Sequence, residues 1–365
     1  MSANTDNGNG NFIKRAVLQG GKLVDISERK KKILALIVEN FIATGEPIGS
    51  KTLCEAMGNA VSSATIRNDM ADLSEMGFLE QPHTSAGRVP SNLAYRYYVD
   101  NLMAGYELGT DEQERLKIWL SSFSGEPDQL LEKAGSILAE LTNCVAVSTS
   151  PADNEALIKR VELVPLSRHT ALVVLLATSG ILKSSVVRSQ TEINVDIATV
   201  FYNIMQTHFT GKCVADINMT FIQTLVASLG DKAFIMSPLL CTVADLCLQV
   251  GTTDLHLKGQ SNILNHPELA ENTFQLMDFL HRETPLENLL SSQKKQLSIS
   301  IGHENPYREL RNTSTIFSKY TVGDRDSGSI GIIGPTRIDY ARLIPSIKYL
   351  AGVIGTLLSE TLDDE

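Results

Sequence analysis

The sequence predicts an α+β chain of several domains, and three observations carry this. The chain has 365 residues, more than one ordinary hydrophobic core accommodates. Residues 27–90 follow the order helix, helix, helix, strand, polar turn. Short β-branched runs at 144–189 give way to helical periodicity over 192–290 and resume at 296–333, the pattern of one domain inserted into another.

In chain order, residues 1–11 are rich in Ser, Asn and Gly, with no apolar stretch of the kind a signal peptide carries. Residues 1–24 are expected to be a disordered extension. Ser27 opens a helix to about residue 43, with Ile33, Leu34, Ile37, Val38 and Phe41 on one face and Glu28–Lys32 beginning the polar side. Residues 44–49, Thr-Gly-Glu-Pro-Ile-Gly, form a turn. Ser50 is placed to cap a short second helix over 51–57, closed by Gly58. Ser62 or Ser63 caps a third helix in which Ile66, Met70 and Leu73 fall at i, i+4 and i+7 and bury together. Arg67, Asn68, Ala71 and Asp72 occupy the opposite face, and Gly77 stands where a left-handed residue ends the helix. A short strand and a polar turn carrying Arg88 follow.

That layout is a helix-turn-helix with a β-wing, so double-stranded DNA is the first partner to consider. Arg67 and Asn68 have the donor geometry that reads guanine and adenine edges in a major groove, and Thr65 is expected to enter the groove with them. The free N–H groups at the Ser62/Ser63 cap suit a phosphate. Ala86 and Gly87 are small residues that let the turn approach a duplex, which directs Arg88 to phosphate or the minor groove, and His83 in the same turn suits a phosphate. The candidate DNA-contacting set is Ser50, Lys51, Ser62, Ser63, Thr65, Arg67, Asn68, His83, Ser85 and Arg88.

Further along, residues 91–120 read as helix, with Tyr95, Tyr98, Leu102 and Met103 on one side assigned to a core or an interdomain junction, and Trp119 and Leu120 near the far end. Another amphipathic helix covers 130–141. Strands are expected at 144–149, 158–166, 170–177 and 182–189, and helices at 195–209, 219–229, 231–250 and 267–282. Strands return at 296–301, 314–322 and 329–333, and a helix over 340–358 closes the chain.

The net charge of −10 is unlike that of a nucleic-acid binder. Residues 1–105, however, hold eleven basic and eleven acidic side chains, so the whole excess of acid lies beyond them. DNA attraction must come from local placement of Lys30, Lys31, Lys32, Lys51, Arg67 and Arg88. No apolar run approaches the roughly 20 residues of a membrane helix, so no membrane association is expected. Cys54, Cys144, Cys213, Cys241 and Cys247 have no metal spacing and read as reduced thiols in a cytoplasmic protein.

Catalytic and cofactor motifs are sparse. Gly328, Gly331 and Gly334 recur every three residues, which is neither a dinucleotide loop nor a P-loop, and a strand leaving a glycine turn is the expectation. His303-Glu304-Asn305 has no partner placed by the sequence, and the seven histidines form no ligand pair. No enzyme activity, cofactor or metal is expected.

The strings Ser27-Glu28-Arg29, Glu46-Pro47-Ile48-Gly49-Ser50-Lys51-Thr52-Leu53, and the run from Ser63 to Leu73 resemble the heat-inducible transcription repressor family HrcA. So do Gln81-Pro82-His83-Thr84-Ser85-Ala86-Gly87-Arg88-Val89-Pro90 and Tyr95-Arg96-Tyr97-Tyr98-Val99-Asp100. The segments Ile301–Asn305 and Gly331-Ile332-Ile333-Gly334-Pro335-Thr336-Arg337-Ile338-Asp339-Tyr340 resemble it too. The resemblance spans about residues 25–355 in order. It implies a repressor of chaperone operons of the groESL and dnaK type that binds an inverted-repeat operator, CIRCE, as a homodimer. It also implies that the GroEL chaperonin maintains activity. For the fold it implies a winged-helix domain at 25–105, a GAF-like antiparallel sheet domain made of 106–190 and 291–365, and an inserted, mainly helical dimerisation domain at 191–290. GAF-like folds often bind small molecules, so a ligand-gated regulator is the alternative reading.

Overall fold

Helix α1 (Glu28–Thr44) begins where Ser27 accepts a hydrogen bond from the Lys30 N–H, and it ends at Gly45, whose φ of 74° no β-carbon opposes. The structure, a computed structural model, describes residues 18–19, 22–23, 26–82, 87–103, 108–121, 127–150, 152–293, 295–322 and 325–363. Most of the extension expected at 1–24 lies outside these residues; within it, β1 (Leu18–Gln19) pairs with β2 (Lys22–Leu23).

α2 (Ser50–Ala56) and α3 (Ser63–Glu75) pack on α1 through Ile33, Leu34, Ile37, Val38, Leu53, Ile66, Met70 and Leu73, all buried. Gly77, at φ 79°, turns the chain out of α3 into β3 (Leu79–Glu80), which pairs antiparallel with β4 (Val89–Pro90). The single helix expected over 91–120 is instead two. α4 (Asn92–Tyr97) runs into a π turn, Tyr98–Leu102, and α5 (Thr110–Ser121) starts afresh. α6 (Pro127–Thr142) follows.

Among the described residues the rest of the chain forms two antiparallel sheets. Residues 144–255 supply β5 (Val145–Thr149), β6 (Ile158–Ser167), β7 (Thr170–Ala177) and β8 (Leu182–Arg188), then α7 (Val195–His208), α8 (Met219–Ser228) and α9 (Ala233–Gly251). After these come β9 (Leu255–Lys258), α10 (Thr273–Leu280), α11 (Glu283–Ser291), β10 (Leu297–Ile301), β11 (Thr313–Val322), β12 (Arg325–Pro335) and α12 (Tyr340–Asp363). The five-stranded sheet has the order β10-β11-β12-β5-β9, and β6-β7-β8 form a separate three-stranded sheet.

This differs from the expected grouping. The runs at 158–188 do not join the sheet made by 297–335. They close on α7–α9 around Phe201, Leu239, Val243 and Leu246, in a core assembled from residues 156–250 alone. Strand patterning fixes which residues are extended, and the choice of sheet is made by non-local hydrogen bonds. Residues 267–282 likewise split into a 3₁₀ turn, Pro267–Asn272, and α10. The sequence pattern predicts neither β9 nor α11.

Where the second unit leaves the five-stranded sheet the chain is pinched. The Ser150 N–H donates to the Asp254 carbonyl at 2.9 Å. The Asp254 N–H donates back to Ser150 Oγ at 2.8 Å. One face of the five-stranded sheet, with Ala146, Ile316, Ile330 and Ile332, packs on α6 and α12 in a core continuous with that of α1–α4. The other face, with Val145, Val147, Phe317 and Ile333, is covered by α10, α11 and the 3₁₀ turns.

By length and composition, Gly230–Gly251 and Tyr340–Glu360 could each cross a membrane, contrary to the expectation from apolar run length. Their windows are 44% and 50% buried, with the buried side chains facing these cores. A helix hydrophobic on its inner side is what a packed core requires.

Candidate nucleic-acid interface

α3 presents one face to its core and the other to solvent. Ile66, Asp69, Met70 and Leu73 are buried. At about 100° per residue, Ala64, Arg67, Asn68, Ala71 and Glu75 share the opposite arc, and all five are exposed. Ala64 and Ala71 carry only a methyl group, so nothing bulky keeps this face from a surface laid against it. Neither Arg67 nor Asn68 makes a side-chain hydrogen bond or ion pair among the described residues.

The start of α3 is organised as the sequence suggests. Ser62 is the cap, its Oγ accepting from the Thr65 N–H at 3.2 Å and lying 3.0 Å from Thr65 Oγ1. The N–H groups of Ser63 and Ala64 begin the helix with no intrahelical acceptor. Thr65 lies roughly 160° around the helix from Arg67, on the flank beside Asp72, so the two do not share a face. Ser50 is not the cap of α2; Gly49 holds that position without a side-chain bond. Ser50 Oγ instead lies 3.1 Å from Ser63 Oγ and joins the first residues of α2 and α3. Lys51, next to it, is exposed.

Arg88 sits at the base of the β3–β4 turn. Its N–H donates to the Ile48 carbonyl at 2.9 Å, and the Ile48 N–H donates to the Arg88 carbonyl at 3.1 Å. This bridge fixes the base of the β3–β4 turn to the turn between α1 and α2. It also gives Gly87 a different reason to be small. A β-carbon there would stand 2.3 Å from Ile48 O, so the residue's size serves the protein's own backbone. His83 and Ser85, expected to take part, lie outside the described residues.

The basic run on α1 is not a free cationic strip. Arg29 Nε and its terminal nitrogen donate to Asp69 at 2.6 and 3.0 Å. Lys30 pairs with Asp72 at 2.7 Å, and Lys31 with Glu28 at 2.7 Å. Lys30 and Lys31, expected to attract DNA, are therefore engaged within the protein, and Arg29 and Lys30 clamp α1 to α3. Among the described residues, Lys32, Lys51, Arg67 and Arg88 carry no ion pair. The clamp partners were hidden because an ion pair between residues 40 apart leaves no local signature.

The tyrosines of α4 belong to the junction. Tyr95, Tyr97 and Tyr98 are buried. Phe78 meets Tyr97 edge-on at 5.4 Å, and Tyr95 lies 5.8 Å from Tyr340 of α12. Glu304 accepts from Arg96 Nε at 2.8 Å, and the buried Asn305 donates to three backbone carbonyls, so these two members of the His-Glu-Asn string are structural. The glycines at 328, 331 and 334 lie on β12. A β-carbon at each would come within 2.4 Å of Tyr320 Oη, Ile316 O or Cys144 Sγ, which is why the repeat resembles a loop motif without being one. Among the described residues no group of three or more His, Cys, Asp or Glu could hold a metal. All five cysteines are free, and burial pushes the Cys144 thiol up to about 11 and the Cys247 thiol up to about 12.

A family model described as "HrcA protein C terminal domain" matches residues 128–344. The chain is 36% identical over 330 residues to the heat-inducible transcription repressor HrcA of Acetivibrio thermocellus, covering 89% of this chain and 94% of that protein. It is 36% identical over 345 residues to the repressor of the same name from Thermoanaerobacter pseudethanolicus, covering 93% and 99%. A solved structure described as that of a hypothetical protein, at 2.2 Å resolution, superposes with a TM-score of 0.67 at 23% identity. That likeness covers 92% of this chain and 100% of the other, and it concerns the fold.

Proposed function

The chain belongs to the heat-inducible transcription repressor family HrcA, and from that premise we propose that it binds double-stranded DNA through α3 and the β3–β4 wing, as a homodimer on an inverted-repeat operator. It is a transcription repressor, not an enzyme. The observation that carries the binding mode is the exposed arc of α3. Arg67 and Asn68, two side chains suited to base edges, are exposed there beside Ala64 and Ala71 and have no side-chain partner among the described residues. In this reading α1–α3 with β3 and β4 are a winged helix-turn-helix, Arg67 and Asn68 face bases, and Ser50, Lys51, Ser62, Ser63 and Thr65 lie along the phosphate backbone, with His83, Ser85 and Arg88 in the wing.

The five-stranded sheet with its helices is the GAF-like domain of this reading, and we draw the inserted dimerisation domain at 151–253 rather than 191–290. Its own core and its pinched neck support that boundary. The self-complementary surface is assigned to the outer face of β6-β7-β8. Val164, Leu172 and Val186 are direct cross-strand neighbours there, as are Leu176 and Leu182. Residues opposite one another in a ladder share a face, and Val164, Leu182 and Val186 are 45%, 58% and 60% exposed. Arg160, paired with Glu162, and Ser184 share this face, so the apolar side chains form two exposed patches beside a polar row, and such patches mark an interaction surface.

A two-fold dimer matches an inverted repeat, and half-site spacing then reports the separation of the two recognition helices. The targets of this reading are chaperone operons carrying the CIRCE repeat, regulated in the cytoplasm. Footprinting upstream of those operons tests it. Two symmetric protected half-sites support the reading, and protection without symmetry, or none, contradicts it. Arg88→Ala is expected to weaken binding and reduce the salt slope by about one for each phosphate that Arg88 neutralises. Full affinity with an unchanged slope removes Arg88 from the interface.

The GroEL chaperonin is proposed to keep the DNA-competent fraction high, since apparent affinity scales with that fraction. Operator titration at stoichiometric DNA, with and without chaperonin, is expected to show a larger active fraction with it and the same footprint. An active fraction already complete without chaperonin after mild warming contradicts this.

A further inference from the structure

Arg337 lies on the segment between β12 and α12, far in sequence from α3, yet it reaches the helix on which α3 is mounted. Its terminal nitrogen donates to the Ile42 carbonyl at 3.0 Å, and its Nε donates to Glu268 at 2.5 Å. Ile42 is among the last four residues of α1, whose carbonyls have no intrahelical donor. A cation there satisfies one of them and also complements the negative end of the helix dipole. Gly45, the left-handed stop of α1, fits against the guanidinium, whose Cζ would be 3.4 Å from a β-carbon at that position. Burial pushes the Glu268 carboxyl up, but its own N–H and Arg337 outweigh that and hold it below the usual carboxylate range.

The opposite end of α1 is bolted to α3. Arg29 and Lys30, in its first turn, pair with Asp69 and Asp72 of the recognition helix. A helix of 17 residues is about 25 Å long. α1 is therefore a strut, held to the body by Arg337 at its C-terminal end and to α3 by two ion pairs at its N-terminal end. Arg96 with Glu304 and the Ile299 carbonyl, and Tyr95 against Tyr340, hold α4 to the body, and the Tyr98 hydroxyl that follows donates to Glu39 in the middle of α1.

We propose that Arg337 is a positioning residue for operator recognition. By anchoring the C-terminal end of α1 while paired with Glu268, it fixes the orientation of α3 relative to the body, and so the separation of the two recognition helices in the dimer. The proposal rests on the two-fold reading above. Arg337 touches no DNA in it. Its effect appears only when both half-sites must be met at once, because a second contact made by a tethered module depends on the geometry of the tether.

The test uses the full-length chain and three sets of duplexes: the footprinted operator, the same duplex with one half-site scrambled, and operators whose spacer is lengthened or shortened by one and two base pairs. Wild type is expected to favour the intact operator and its native spacer. Arg337→Ala is expected to lose about tenfold or more on the intact operator and less than about twofold on the scrambled one. Its spacer preference should flatten while it still sediments as a dimer. Glu268→Gln keeps the shape of its side chain and removes the charge that orients Arg337, so it should shift both readouts the same way by a smaller amount. Equal loss on both duplexes, or an unchanged spacer preference in both variants, overturns the positioning role. A wild type that does not distinguish the intact operator from the scrambled one removes the two-fold reading instead, and the positioning role with it.

Discussion

Excising residues 151–253 and closing the gap with a short turn is expected to give a folded monomer whose operator affinity falls about 10²–10⁴-fold, the range that linking two binding modules contributes. The excision is structurally simple. β5 and β9 are antiparallel neighbours, with Thr149 opposite Leu255, and Ser150 and Asp254 already hydrogen-bond to one another. The removed unit fills a core of its own, so the two cores on either side of the five-stranded sheet keep their side chains. A hairpin turn of two to five residues is the ordinary connection for such a pair. The variant lacks the apolar face of Val164, Leu172, Leu176, Leu182 and Val186, to which dimerisation is assigned. Sedimentation and operator titration check the two parts separately. A variant that still sediments as a dimer shows that the contact lies elsewhere, and a monomer with undiminished operator affinity shows that repression does not need two-fold binding.

Gly331→Ala is expected to cost about 3 kcal/mol or more of stability, at the upper end of overpacking effects. Gly331 lies in the central strand β12, paired with Phe317 on one side and Val147 on the other. A β-carbon there would sit 2.0 Å from the Ile316 carbonyl oxygen and 2.5 Å from Phe317 Cδ1. Neither can retreat, because Ile316 O is backbone and the ring is in the core that α10 and α11 cover. Gly352→Ala on α12 is the control. Nothing lies within 4 Å of its β-carbon, and replacing a helical glycine by alanine gains about 0.5–1 kcal/mol. Chemical denaturation of the two variants should move in opposite directions. A Gly331→Ala protein as stable as wild type would mean that the sheet relaxes in a way the packing does not suggest.

What the sequence made legible was local. Ser27 and Ser62 act as caps and Gly45 and Gly77 as stops because capping acts within one turn of helix. The Ile66, Met70, Leu73 stripe was readable from the helix period, and the strand at 170–177 from its continuous apolar run. What stayed hidden was non-local. The runs at 158–188 have the same alternation whichever sheet receives them, and only pairing with each other sets them apart. β9 alternates Leu255-His256-Leu257-Lys258, but four residues between a long helix and a 3₁₀ turn are too short a run for alternation to mark a strand. The break between α4 and α5 has no proline, and the π turn that ends α4 bonds through Tyr98 to Glu39 of α1, a partner 59 positions away. At the candidate interface, the exposure of Arg67 and Asn68 followed from the helix period. The engagement of Lys30 with Asp72, the Ser50–Ser63 contact and the Ile48–Arg88 bridge each join residues 13 to 42 positions apart, and no short-range pattern marks such pairs.

Base reading by the exposed arc of α3 is tested by a paired titration of wild type and Arg67→Ala on operator and on random duplex at one salt concentration. Arg67→Ala is expected to lose about 1–3 kcal/mol on the operator, with relaxed preference at one position of each half-site, and to bind random duplex as wild type does. Equal loss on both duplexes would make Arg67 a phosphate contact and contradict the assignment of base reading to this face of α3.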